Sequence, residues 1–267
     1  MTELRYVYAI CEPLGAPLPA GLTGVADDRP HMFPHLGLVA VVGHVPERDF
    51  AEQPLRAHLE DLDWLTETAR AHERVIHALM ALTTPLPLRL ATVFHDDTGV
   101  RLMMEEQEAH FRDTLGRLRG RVEWGVKVYA EPEPGAEPAE GDGPHSRPAS
   151  GRDYLRQRRR SVLAREDTWQ RAERFADRLH TALSAHAERT RLHPPQNPAL
   201  SSAPGQNVLN AAYLVPRSSS DEFMDVLDHT KSGESGIRIE LTGPWAAYSF
   251  VDIVDFVESS GAEAAGT

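Results

Sequence analysis

From Glu131 to Ser150 the chain carries five prolines and three glycines but no Val, Ile, Leu, Met, Phe, Trp or Tyr. Such a segment buries too little apolar surface to offset the entropy of ordering it, so it predicts an extended or disordered linker and a domain boundary. The 267 residues leave room for two domains, at about 100 to 200 residues each. The expected division is a first domain over 1–130, the linker over 131–150, a second domain over 151–255 and an acidic, small-residue tail over 256–267. A second breaker-rich run, from His193 to Gly205, interrupts the C-terminal half.

In the first domain Leu4, Tyr6, Tyr8 and Ile10 alternate, the period of a strand with one buried face. Leu38 to Val42 is a continuous apolar run and predicts a central strand. Leu55, Leu59, Leu62, Ala69, Val75, Ile76, Leu79 and Met80 then recur at helical spacing as far as the Thr83-Thr84-Pro85 breaker. Leu86 to Phe94 predicts a third strand with Pro87 near its start or on an edge. Asp97 or Thr98 is expected to cap a helix facing inward through Met104, Phe111, Leu115 and Leu118. Beyond Gly120, Val122, Trp124, Val126 and Val128 alternate with Glu123 and Lys127 on the opposite face. The order β-β-α-β-α-β predicts an α+β fold whose first domain is ferredoxin-like, an antiparallel sheet covered on one side by two helices.

The second domain is expected to be a long helix plus a small α+β unit. Leu155, Val162, Trp169, Ala176 and Leu183 fall every seven residues in a helical pattern running from about 151 to 191. Val208 to Val215 and Ile237 to Leu241 read as strands, with a helix over Asp221 to His229 between them. Gly243-Pro244-Trp245 then turns the chain toward Tyr248 to Ile253.

Twenty-eight Lys and Arg against 40 Asp and Glu leave a net charge of -12, which opposes general binding to nucleic acid. The charge is uneven: -6 over 1–130, -4 over 131–150, +5 over 151–200 and -7 over 201–267. Arg152, Arg156, Arg158, Arg159 and Arg160 form the sharpest cluster, readable as a solvated helix face or as a dock for an acidic partner. No run approaches the 18 or so apolar residues of a membrane span, and the single cysteine, Cys11, excludes an intrachain disulfide.

Specific chemistry finds no motif. His72 and His77 lie five residues apart, about 140° around a helix, so they do not share an ion as an i, i+4 pair would. His31 and His35 are interleaved with Pro30 and Pro34 and lack a companion cluster. Glu105, Glu106, Glu108 and His110 read as a solvated helix face, and no nucleophile elbow, P-loop or dinucleotide turn occurs. No catalytic, cofactor-binding or metal-ligating residue is therefore expected. The competing readings are an enzyme with a cleft between two α+β domains, using Arg89, Glu123 and His95, and a small-molecule-binding regulatory module that dimerises through sheet edges.

Six segments, in order, carry a resemblance. They are Tyr6-Val7-Tyr8; Pro85 to Phe94; Val122 to Tyr129; Gly151-Arg152-Asp153-Tyr154-Leu155; Leu209 to Val215; and Thr242-Gly243-Pro244-Trp245 with Tyr248-Ser249-Phe250. Together they resemble the gas vesicle accessory protein family GvpF/GvpL. Leu90-Ala91 stands where the family usually has Phe-Gly, a change expected to preserve a strand, and Ala246-Ala247 stands where it usually has Pro-Pro. The resemblance implies a non-enzymatic cytoplasmic protein, associated with gas vesicles and acting in their assembly. Its implied partners are the small, strongly hydrophobic shell protein and other accessory proteins, in the role of chaperone, nucleator or minor shell component.

Particular residues follow. Trp124 shares its row with three valines and is expected in the core, while Arg89, inside an apolar strand, needs a partner for which Glu123 is the first choice. Lys127 completes that structural motif. The partner-binding surface is placed on Trp245, Tyr248 and Phe250 beside the Gly-Pro turn, with Arg152 and Arg156 of the arginine cluster as the next candidates. Closure of the second domain's core by Trp245 and Phe250 is the alternative for the aromatic group.

Overall fold

A computed structural model describes residues 2–131, 151–195, 205–230 and 235–251. Strand β1 (Glu3–Cys11) is central to the first sheet, pairing antiparallel with β3 (Leu38–Pro46), which in turn pairs with β2 (His31–His35). After α1 (Glu47–Phe50), α2 (Glu52–His58) and α3 (Leu62–Met80), two short strands return to β1: β4 (Leu86–Pro87) and β5 (Val93–Phe94). The register of β1 shifts at Tyr8, because Val7 opposes Val42 while Ala9 opposes Val41. This bulge re-phases the strand: Tyr6, Tyr8, Ala9 and Cys11 join one apolar cluster, Val7 and Ile10 the other. Ile10 thus leaves the face it was expected to share with the tyrosines.

The first sheet is covered on both faces, not one. On the tyrosine side α3 packs Ala71, Val75, Ile76 and Leu79, and α1 adds Phe50. On the other side α4 (Asp97–Glu106) and α5 (Glu108–Leu118) contribute Val100, Met103, Met104, Phe111, Leu115 and Leu118. The expected helix from Leu55 is divided: Asp61 caps a new start by accepting from the Asp63 and Trp64 amides, and Leu59 and Leu62 are exposed. Asp96 caps α4, one residue before the predicted capping pair, by accepting from the Thr98 and Gly99 amides. Cys11 is buried in the sheet, and burial pushes its thiol up to about 12.

The expected strand over Leu86 to Phe94 is interrupted. Ala91 has a φ of 62°, so the chain turns out of β4 and back into β5, and its amide donates to the Tyr6 hydroxyl at 3.0 Å. A left-handed backbone explains why glycine suits this position and strand geometry does not.

Strand β6 (Arg121–Ala130), expected to complete the first sheet, instead opens a second one. Its order is β7-β8-β6-β9, built from β7 (Arg189–Leu192), β8 (Gln206–Pro216) and β9 (Ile237–Trp245), all adjacent pairs antiparallel. With α6 (Gly151–Ser184) and α7 (Ser220–Thr230) the element order is β6-α6-β7-β8-α7-β9, the split βαβ arrangement that sequence reasoning assigned one half too early. Residues 132–150 and 252–267 lie outside the described residues. The elements flanking the former, β6 and α6, share one apolar cluster. Helix α6 ends at Ser184 rather than near 191, because the chain beyond it pairs as β7 with β8.

Two substitutions test this description. Trp124 is buried, stacked on Phe223 at 6.4 Å with its indole N–H donating to Ser220 Oγ at 3.4 Å. Trp124→Ala is expected to cost about 3 to 5 kcal/mol in denaturant unfolding; an unchanged midpoint would remove it from the core. Ala91→Gly relieves a left-handed alanine, worth about 1 to 2 kcal/mol, against a smaller loss from the freer unfolded chain. A net gain of about 0.5 to 1 kcal/mol is expected, and a loss of stability would show that the methyl group matters more than the backbone.

Candidate functional site

The last described residues form a strap from the second sheet into the first. Gly243 turns the chain with a φ of 125°, and a Cβ there would meet the Glu123 carbonyl oxygen at 2.8 Å and Trp124 Cε3 at 3.0 Å, so only glycine fits. Trp245 ends β9 with 42% of its surface exposed. Ala246 and Ala247 then point into opposite clusters, one behind the tyrosines of β1 and the other beside Val7 and Ile10. These alanines, in place of the family's usual prolines, are both buried. Phe250 and Val251 follow Ala247 into the second of those clusters, which also holds Ala212 and Leu214 of β8.

Polar contacts fasten the strap at two points. Ser249 donates its amide to Glu123 Oε2 at 2.8 Å and its hydroxyl to Oε1 at 2.6 Å, while Arg191 Nη1 donates to the Ser249 carbonyl at 2.6 Å. Burial raises the Glu123 carboxyl's pKa, opposed by the Ser249 bonds and the Arg191 charge. His193 Nε2 stands 3.1 Å from Ser249 Oγ. At the second point, Tyr248 meets buried His72 of α3: the hydroxyl is 3.1 Å from Nε2, and Nδ1 is 3.0 Å from the Tyr6 hydroxyl. The Ala91 amide donates to Tyr6, and Tyr248 is hydrogen-bonded to Glu73. One proton arrangement satisfies every group: Tyr6 O–H donates to Nδ1, Nε2–H to the Tyr248 oxygen, and Tyr248 O–H to Glu73. His72 is then neutral, and burial accordingly lowers its pKa to about 4.

The structure separates the residues that the sequence grouped. Phe250 is a core residue and Tyr248 is half-buried with its hydroxyl committed to the network, so Trp245 alone of the three presents an exposed ring. Arg89 is exposed in the turn between β4 and β5, and the Glu123 carboxylate is engaged by Ser249 instead. Lys127 is half-buried, opposite Glu240 of β9 and Asn210 of β8. Arg152 and Arg156 are exposed on the first half of α6. His31 stacks on His44 at 5.0 Å, and His35 meets Glu105 at 2.8 Å. Sequence reasoning weighed His72 only as a metal ligand with His77 and missed its part in this network, although its place in the row Thr68, Ala71, His72, Val75, Ile76 and Leu79 marks a polar group on an apolar helix face.

A cavity of about 410 Å³ lies between the ends of α3, β1 and α5 and the turn after β8, lined by Thr83, Thr84, Arg119 and Arg217 among others. Arg89, Glu123 and His95 are not among its lining residues. Arg119 is paired with Glu12, and Arg217 donates to the Met80 carbonyl at 3.3 Å. The described residues contain no cluster of three or more His, Cys, Asp or Glu fit to hold a metal ion, and no helix among them is long and apolar enough to cross a membrane.

His72 makes the strap sensitive to acid. In the unfolded chain its imidazole takes up a proton near pH 6.5, whereas in the folded protein it does so only near 4, so stability present above about 6.5 is lost as pH falls toward 4. At pH 5 the loss is about 2 kcal/mol. Glu123, raised by burial, contributes with the opposite sign just above its normal range, so the measurement is a difference. Between pH 7.5 and 5 the wild type should lose about 2 kcal/mol more than His72→Gln in urea unfolding; equal losses would refute the neutral, buried imidazole.

The family model described as gas vesicle synthesis protein GvpL/GvpF matches residues 4–252. Gas vesicle protein L of Streptomyces sp. (strain CB03234) is 53% identical over 253 residues, covering 95% of this chain and 94% of that protein. Gas vesicle protein F of the same strain is 26% identical over 256 residues, covering 92% and 99%. Among solved structures, gas vesicle protein GvpF from Anabaena sp. PCC7120 shares the fold with a TM-score of 0.67 at 18% identity, covering 94% of this chain and 97% of that one. GvpF from Microcystis aeruginosa does so with a TM-score of 0.63, also at 18% identity and covering 94% and 99%. From β1 through the C-terminal strap, this chain belongs to the gas vesicle synthesis protein GvpL/GvpF family.

Proposed function

We propose that the protein is a non-enzymatic accessory of gas vesicle assembly that binds the hydrophobic shell protein in the cytoplasm and keeps it competent to assemble, alongside other accessory proteins. The observation that carries this reading is the family match over residues 4–252. Physical support comes from the surface. Unassembled shell subunits expose apolar area and strand edges, both of which aggregate, and an acidic carrier with a net charge of -12 resists joining the aggregate. Trp245, exposed at the end of edge strand β9, offers a large ring with little rotamer entropy to lose on contact.

Co-expression tests the proposal. With this protein present, the shell protein is expected to move into the soluble fraction and to be captured with it, and Trp245→Ala should reduce capture without lowering the melting temperature. A shell protein that stays insoluble and uncaptured beside abundant folded accessory would refute the function. Undiminished capture by the Trp245 variant would refute only the contact.

A further inference from the structure

We infer that the first half of α6 is a docking surface for an acidic amphipathic helix of a partner protein. From Arg152 to Asp167 every residue whose side chain is described is exposed, and Thr168 is the first of the described residues of the helix to be buried. At a rise of about 1.5 Å per residue, the exposed side chains extend along roughly 25 Å of helix. In the second half Ala172, Phe175, Ala176, Leu179 and Leu183 are buried, most of them in the cluster with β6, β8 and α7.

One stripe runs through both halves. Leu155, Val162, Trp169, Ala176 and Leu183 are seven residues apart, and such a row drifts only about 20° per repeat around a straight helix. Ala176 and Leu183 use it to pack on the sheet and Trp169 is half-buried, but Leu155 and Val162 remain 65% and 55% exposed, with Leu163 beside them at 57%. Apolar side chains left exposed in such a row gain most from a second helix laid along it.

Charge selects the occupant. Residues 151–167 hold six arginines against three acidic residues, within a chain of net charge -12. Arg152, Arg156, Arg158 and Arg159 are exposed around Leu155, so a helix seated there must bring carboxylates together with apolar side chains. A second copy would set like charges against each other. A nucleic acid would leave the aliphatic row unused. The inference deepens the assembly reading, on which the partner's identity rests; the partner's chemistry rests on α6 alone.

The test titrates the full chain with a designed four-heptad peptide carrying Leu at its core positions and Glu at the flanking ones, with a scrambled peptide of equal composition as control. Micromolar binding by the heptad peptide alone is expected, weakened by salt and reduced at least about tenfold by the double change Leu155→Glu and Val162→Glu at unchanged melting temperature. Absence of binding, equal binding of the scrambled peptide, or an unaffected variant would overturn the proposal. Binding only after truncation at Val251 would do the same by making the chain's own 252–267 segment the occupant, as would a dimer that the double variant dissociates. Shell-protein capture is measured in parallel. Lost capture by the wild type with peptide binding intact would sink the assembly reading and leave this surface standing.

Discussion

Burial of one shared apolar cluster is the constraint on which the rest of the molecule depends. It contains Val7, Ile10, Leu38, Ala40 and Val42 from the first sheet, the inner faces of α4 and α5, Ala212 and Leu214 from β8, and Ala247, Phe250 and Val251 from the strap. Neither sheet closes this layer alone. The first sheet lacks a long fourth strand, since β4 and β5 are two residues each, and β8 alternates its side chains between this cluster and the one under α6. Folding of the two halves is therefore coupled through side chains that are distant in sequence.

The polar groups at this junction define orientation more than they add stability. A buried carboxylate and a buried imidazole each cost desolvation, and each is compensated by partners on a different element. Glu123 belongs to β6 and its donor Ser249 to the strap; His72 belongs to α3 and its partners to β1 and the strap. A displaced strap would leave both groups underbonded. The apolar contacts tolerate small slides, whereas these bonds permit one register of the strap.

Much of this was legible in the residues, within physical limits. The row Val122, Trp124, Val126 and Val128 announces a strand with a buried face, but nothing in it names the sheet, because strand pairing is settled by partners up to 120 or so positions away. Alternation along β1 reads correctly as far as Tyr8 and then misleads, since a bulge inserts one residue without any glycine or proline to mark it. Leu86 to Phe94 looks like one strand on β-propensity alone; the left-handed Ala91 is visible only against a family that places glycine there. For the candidate site, the exposure of Trp245 and the arginine helix could be anticipated. The division of Trp245, Tyr248 and Phe250 among surface, network and core could not, because it depends on which cluster each meets after the turn at Gly243.

Cys11 gives the first sheet a reporter of its own. It is the chain's single thiol, fully enclosed at the end of the central strand, and with a pKa of about 12 it holds only about one part in ten thousand as thiolate near pH 8. Alkylating reagents act on the thiolate and need access to it, so labelling is confined to moments when β1 parts from its neighbours. The rate of covalent labelling thus becomes a clock for the opening of that sheet, readable by mass spectrometry in cell extract with no engineered probe. Comparing the rate with and without an assembly partner would distinguish a partner that holds the first sheet shut from one that leaves its breathing untouched.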